Sequence, residues 1–273
     1  MFDKKYILFI ILQEWGEIMI KTFYSTKENG CMSSDKKYYK NTSERDIIND
    51  LKERRIKLGK MYGFDGTKIL KESNDKKSNI LDVTDTISNI LIDNSKFDLW
   101  NLGIPSNGII IRDNLKDVAV SFRTSDYPVI VVYSNNTLGV AYCTPENIDK
   151  ALPYVLADTI SKISKENDSK LQAYIGPSIG YNYILKEYPE WAKEDSWYHF
   201  IKETNNGYRI DLKRAVISSL MNRGVKEIRV SPMDTLESSS LYSDYAYNNG
   251  EEDKYGKFLV GAYFTEDKKL IKK

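Results

Sequence analysis

The chain has 273 residues, of which 41% are apolar and 29% charged, enough to build a substantial core in a folded protein. Its 40 lysines and arginines nearly balance 39 acidic residues, so no global basic field draws it to nucleic acid or to an anionic membrane. Two cysteines, Cys31 and Cys143, with no CxxC spacing supply neither a disulfide framework nor a thiol metal site, and a reducing, cytoplasmic compartment is the expectation.

Residues 1–18 differ from the rest. The apolar run Tyr6 to Leu12 follows Lys4-Lys5 but is too short to span a bilayer, and Gln13-Glu14-Trp15-Gly16-Glu17 follows it instead of a small-residue cleavage site. The segment reads as a weak signal-like stretch or as a mis-assigned extension. In the second case translation starts at Met19, because Trp-Gly-Glu requires a purine-rich codon string like a bacterial ribosome-binding site just upstream. Residues 19–273 are then a single domain.

From Met19 onward, Ile20 to Ser25 predicts a first strand. Ser43, with Asp46 three residues on, caps a helix that carries Ile47, Ile48, Leu51, Leu58 and Met61 on one face and ends at Gly63. Its Lys52-Glu53-Arg54-Arg55 side reads as solvated. Glu72 to Asn79 is loop-like, and Ile80 to Val83 is a short strand. Four β-branched runs follow, Gly108 to Arg112, Asp117 to Phe122, Pro128 to Tyr133 and Thr137 to Tyr142, which together predict a sheet core.

Thr144 then caps a helix with Pro145 at its first position, and Ile148, Leu152, Val155, Leu156, Thr159 and Ile163 form its apolar stripe. Pro153 should kink or split it. A strand from Leu171 runs into Ile175-Gly176-Pro177-Ser178-Ile179-Gly180, a turn of defined shape. A short helix is expected around Tyr183 to Trp191. Asp211 caps another helix, carrying Leu212, Ala215, Val216 and Leu220 and ended by Gly224. Lys226 to Ser231 and Lys257 to Phe264 are the last strands, and the lysine-rich tail should fray. The one histidine, His199, lies in an aromatic cluster before the Asn205-Asn206-Gly207 turn, and reads as structural.

Four segments, read in order, resemble one family. Thr124-Ser125-Asp126-Tyr127-Pro128-Val129 is similar to its Thr-Ala-Asp-Cys-x-Pro motif, and Leu138 to Tyr142 to the strand that ends in its His-Ala-Gly-Trp-Arg-Gly motif. Ile175 to Gly180 matches its Ile-Gly-Pro-x-Ile-Gly turn. Ile210-Asp211-Leu212, Arg223-Gly224-Val225, Ile228 and Asp234-Thr235 follow its Asp-Leu, Gly-Val and Cys-Thr elements. The chain resembles the laccase-domain family, also called multicopper polyphenol oxidase-like, YfiH-like or peptidoglycan-editing-factor-like, from about Phe23 to Phe264.

That resemblance implies an α/β (α+β) fold, a single-domain mixed-sheet sandwich with flanking helices. In active relatives it implies a zinc site of two histidines and one cysteine supporting purine nucleoside phosphorolysis. Relatives are also described as polyphenol oxidases. The family cysteine is Tyr127 here, one family histidine is Tyr142, and the other falls near Ser73 or Asn74. The family's zinc or copper site is therefore expected to be lost, because a neutral phenol is a poor substitute for thiolate or imidazole. A carboxylate set of Asp126, Glu146 and Asp234 is a weaker candidate for Mg or Ca. Thr144, Pro145 and Glu146 satisfy their own helix start and disfavour an anion there.

The expected protein is a catalytically degenerate laccase-domain protein, with Asp126, Tyr127, Tyr142, Thr144 and Asp234 as the candidate pocket for a small planar ligand such as a nucleoside. The alternatives are an active purine nucleoside phosphorylase or polyphenol oxidase-like enzyme with a rebuilt site, using Asp126 or Asp234 as general base, and a scaffold or regulator of an intact paralogue.

Overall fold

The computed structural model describes residues 10–15, 18–65, 69–71, 79–83, 106–116, 118–164, 171–192 and 197–266. The expected loop Glu72 to Asn79 falls almost entirely outside them, as do Ser73, Asn74 and the lysine-rich tail.

Two sheets form the centre. The first has the order β1-β2-β14-β6-β3, where β1 is Ile10–Trp15, β2 Ile18–Tyr24, β3 Ile69–Lys71, β6 Ala119–Thr124 and β14 Phe258–Glu266. The second has the order β13-β9-β7-β8-β5-β4, where β4 is Ile80–Asp82, β5 Gly108–Arg112, β7 Val129–Tyr133, β8 Thr137–Tyr142, β9 Gln172–Ile175 and β13 Glu227–Val230. The four central runs therefore do not make one sheet, since β6 leaves the others to pair with β14. The two sheets are both mixed: β9 runs parallel to β13 and antiparallel to β7.

Alternation decides which residues face which layer. Ile109, Ile111, Val129, Val131 and Val140 of the second sheet share one cluster with Val120, Phe122, Val260, Ala262 and Phe264 of the first, so these faces pack on each other. Ile110, Ile130, Val132, Ala173 and Ile175 point the other way, onto helices α2 (Pro145–Asp149), α3 (Leu152–Ser164) and α4 (Leu212–Asn222). On the far side of the first sheet, Phe23, Ala119 and Tyr263 pack against Leu58 and Tyr62 of α1 (Glu44–Tyr62). The result is helix, sheet, sheet, helix. A cluster of near-continuous apolar strands is what burial on both faces demands.

The caps hold where the sequence places them. Ser43 Oγ accepts from Asp46 N at 3.2 Å, and Gly63 closes α1 at φ 88°. Asp211 Oδ1 accepts from Arg214 N at 2.9 Å at the start of α4. The apolar stripes shift, however. Ile48 and Met61 are exposed on α1, whereas Arg55 of the supposedly solvated side is buried. On α3, Val155 is exposed and Ile160 takes the buried position. Pro153 splits the helix instead of kinking it: Ala151 at φ 57° turns the chain between α2 and α3.

The helix expected around Tyr183 to Trp191 is absent. In its place, β10 (Ile184–Leu185) joins a small sheet with β12 (Gly207–Ile210) and β11 (Ile201–Thr204), whose hairpin turns at Gly207 at φ 123°, and a single turn of 3-10 helix covers Glu190–Ala192. A further short helix, α5 (Asp244–Asn248), lies in a stretch for which no helix is expected. No helix among the described residues is long and apolar enough to cross a membrane.

Candidate functional site

Ile175 to Gly180 ends β9 at the rim between the two sheets, and its glycines answer two close approaches. A Cβ on Gly176 would lie 2.6 Å from Val260 Cγ1 of the opposite sheet, and one on Gly180 would overlap the Asp234 carboxylate. Gly176 N donates to Val129 O at 2.9 Å and Ile179 N to Asp126 O at 2.7 Å, so the turn is pinned to the β6–β7 loop. That loop carries Asp126 and Tyr127.

A cavity of 250 Å³ opens beside this junction, lined by Ser125, Asp126, Tyr127, Tyr142, Tyr183, Asp244, Tyr245 and Asn248. Four of its eight lining residues are tyrosines. The Tyr127 and Tyr142 centroids are 6.1 Å apart at 48°, and Tyr183 meets Tyr245 edge-on at 5.4 Å. Phe122 stacks behind Tyr142 at 6.5 Å, and Tyr245 Oη donates to Ile184 O at 2.8 Å. The rings are thus held in two contacting pairs, by packing and hydrogen bonds, around the rim of the cavity.

Asp126 is almost fully buried, and three donors reach it. Thr235 Oγ1 and Ser243 Oγ donate to Oδ1 at 2.7 and 2.8 Å, and Tyr245 N donates to Oδ2 at 2.8 Å. Ser243 Oγ in turn accepts from Ala246 N at 3.0 Å and caps α5. Burial pushes the Asp126 carboxyl above its ordinary range, against the pull of Thr235, Tyr245 and Ser243, with the nearby Asp244 adding to the rise. The residue ties the β6–β7 loop to α5 and to the segment after β13. Three of its acceptor positions are thereby taken by protein donors.

The remaining candidates divide. Tyr127 and Tyr142 line the cavity, whereas Thr144 and Asp234 do not. Thr144 Oγ1 accepts from Asn147 N at 3.3 Å as the cap of α2. Asp234 Oδ1 accepts from Leu236 N at 3.0 Å in a turn, and its other oxygen lies against Gly180. Asp126, Glu146 and Asp234 are not gathered into a cation site: among the described residues no three His, Cys, Asp or Glu side chains are placed to hold a metal. His199 is exposed against Tyr198 and outside the cavity. Both cysteines are buried away from it, and burial pushes the Cys143 thiol well up.

The chemistry of the lining does not suit the family's zinc. Four of its potential donors are phenols, and two of them, Tyr127 and Tyr183, are held above their ordinary range chiefly by burial and so neutral at physiological pH. Of the carboxylates, Asp126 is bonded to three protein donors and Asp244 Oδ2 accepts from Lys257 Nζ at 2.9 Å. Among the described residues neither thiol nor imidazole lines the wall.

Ser125, Tyr183, Asp244, Tyr245 and Asn248 line the cavity but are missing from the candidate pocket; Ser125 stands inside the Thr124-Ser125-Asp126 motif itself. Tyr183 lies three residues past the Ile-Gly-Pro turn, on the stretch misread as helix. The other three belong to α5, for which Ser243-Asp244 was the available cap signal.

Comparison with known proteins agrees with this geometry. Residues 150–264 match the family model described as multi-copper polyphenol oxidoreductase laccase. A curated relative from Aquifex aeolicus, named purine nucleoside phosphorylase, is 26% identical over 141 residues, which cover 51% of this chain and 65% of that protein. The fold is similar to Bacillus licheniformis YfiH, with a TM-score of 0.68 and 17% identity over 93% of this chain and 96% of that one. YlmD from Geobacillus stearothermophilus gives the same TM-score and identity over 94% of this chain and 100% of its own. The chain is thus similar to the YfiH-like laccase-domain family, in sequence over residues 150–264 and in fold over nearly its whole length.

Proposed function

We propose that this protein uses its tyrosine-lined cavity to hold a small planar ligand of the purine nucleoside class, and that it performs no zinc-dependent phosphorolysis. One observation carries the reading: the two residues at the family's cysteine and histidine positions, Tyr127 and Tyr142, stand beside an open cavity that they do not fill. Aromatic rings at that spacing offer faces and edges to a flat heterocycle. A volume of 250 Å³ falls below the roughly 300–1,000 Å³ of sites that enclose drug-sized ligands, which suits a base lying against the rings with its sugar at the mouth.

The relative named purine nucleoside phosphorylase supports the ligand class. The donor set argues against the reaction. Phosphorolysis needs a partner for phosphate; among the described residues no arginine, lysine or histidine lines the cavity, and the adjacent Lys257 is engaged by Asp244 and Ser125. The alternative of a rebuilt active site with Asp126 as base finds no support in a carboxylate already bonded to three donors.

Calorimetric titration with adenosine and inosine, alongside thermal melts, tests the proposal. A ligand present at ten times its Kd should stabilise the fold by about 1.4 kcal/mol, and Tyr127→Ala should abolish that gain. Neither heat nor stabilisation at millimolar nucleoside would defeat it.

A further inference from the structure

We propose that the cavity selects a positively charged planar ligand, such as a nucleobase carrying a fixed cationic charge, over its neutral counterpart. The inference rests on the reading that the cavity binds a planar ligand, and adds the sign of its charge.

Among the described residues the lining combines four tyrosines with two carboxylates, Asp126 and Asp244, and a cation, Lys257, stands behind it, bonded to Asp244 and Ser125. Ring faces attract cations through their quadrupole, more strongly where water is excluded. Lys257 is engaged with Asp244 Oδ2 at 2.9 Å and with Ser125 Oγ at 3.4 Å. Asp244 Oδ1, by contrast, is buried with no hydrogen-bond partner among the described residues, so Lys257 takes up only part of this wall residue's acceptor capacity. Glu146, at the first turn of α2, adds a third negative charge that acts on Tyr127. Burial and these three carboxylates hold the Tyr127 hydroxyl above its ordinary range, even though Tyr183 pulls it down, which keeps its ring neutral. The same surroundings repel a phosphate. The ligand class that suits neutral rings and surplus acceptors is an organic cation with a flat, delocalised charge.

The experiment is a pair of calorimetric titrations at neutral pH with 1-methyladenosine, which is cationic, and 1-methylinosine, which carries the same methyl group and is neutral. The cation should bind roughly tenfold tighter. Raising the salt should weaken its binding and leave the neutral ligand unaffected. Asp244→Asn, checked for folding by circular dichroism, should bring the two affinities together. Equal affinities, or a preference insensitive to salt, would overturn the charge selectivity while leaving the planar-ligand reading intact. Failure of both nucleosides, and of adenosine and inosine as well, would overturn that reading with it.

Discussion

Replacing Asp126 separates a structural carboxylate from a catalytic one. Asp126→Ala removes the acceptor for Thr235 Oγ1, Ser243 Oγ and Tyr245 N at once, and both hydroxyl-bearing residues are nearly inaccessible to water, at 3% and 2% exposure. Leaving buried donors unpaired costs about 1–3 kcal/mol each, and because hydroxyls can rotate to other partners the total should be about 3–5 kcal/mol. Asp126→Asn behaves differently. Its amide oxygen can accept from Tyr245 N while its NH2 donates to the two hydroxyls, so the cost should be only about 1 kcal/mol.

Urea unfolding followed by the fluorescence of buried Trp197 measures both. The pH dependence has a definite sign. Because burial raises the folded-state value of Asp126 above the ordinary 3.8, the folded protein holds that proton more tightly than the unfolded chain. Its contribution to stability is therefore greatest below 3.8 and is lost as pH rises through the folded value. The advantage of the wild type over Asp126→Asn should shrink across that window. An alanine variant that unfolds at the wild-type midpoint, or an asparagine variant as damaged as the alanine one, would refute the structural role.

Three further outcomes follow from the same neighbourhood. Gly180→Ala should cost about 1–3 kcal/mol by pushing a methyl into the Asp234 carboxylate, and combining it with Asp234→Ala should recover part of the loss in a double-mutant cycle of thermal melts. Ser178 is fully buried with its hydroxyl unpartnered, so Ser178→Ala should leave the denaturant midpoint unchanged or raise stability by about 1 kcal/mol. Thr144→Ala should cost about 1 kcal/mol through the lost α2 cap, with nucleoside affinity measured by calorimetry unchanged because Thr144 stands outside the cavity.

Local chemistry was the legible part of the fold. Ser43, Gly63, Thr144, Asp211 and Gly224 mark helix ends because each satisfies an orphan backbone group or a left-handed turn on the spot, and Pro153 breaks its helix for an equally local reason. Pairing was not legible, since the β-branched run of β6 looks like those of β7 and β8 but finds its partner β14 more than a hundred residues away. Arg55 was misread because a helix face facing another layer is identified by what packs on it and not by its own charge. The site divides in the same way. Tyr127 and Tyr142 were found through the motifs around them, whereas Tyr245 and Asn248 enter the cavity only because Asp126 ties α5 to the β6–β7 loop. Asp234 matched the family's order, yet it serves a turn beside Gly180.

The most direct test is a phosphorolysis assay: inosine and adenosine with inorganic phosphate, in the presence and absence of added zinc, with free base measured by chromatography. A lining of phenols and engaged carboxylates predicts no phosphate-dependent base release in either condition, alongside saturable nucleoside binding. Zinc-dependent release of hypoxanthine or adenine would contradict it.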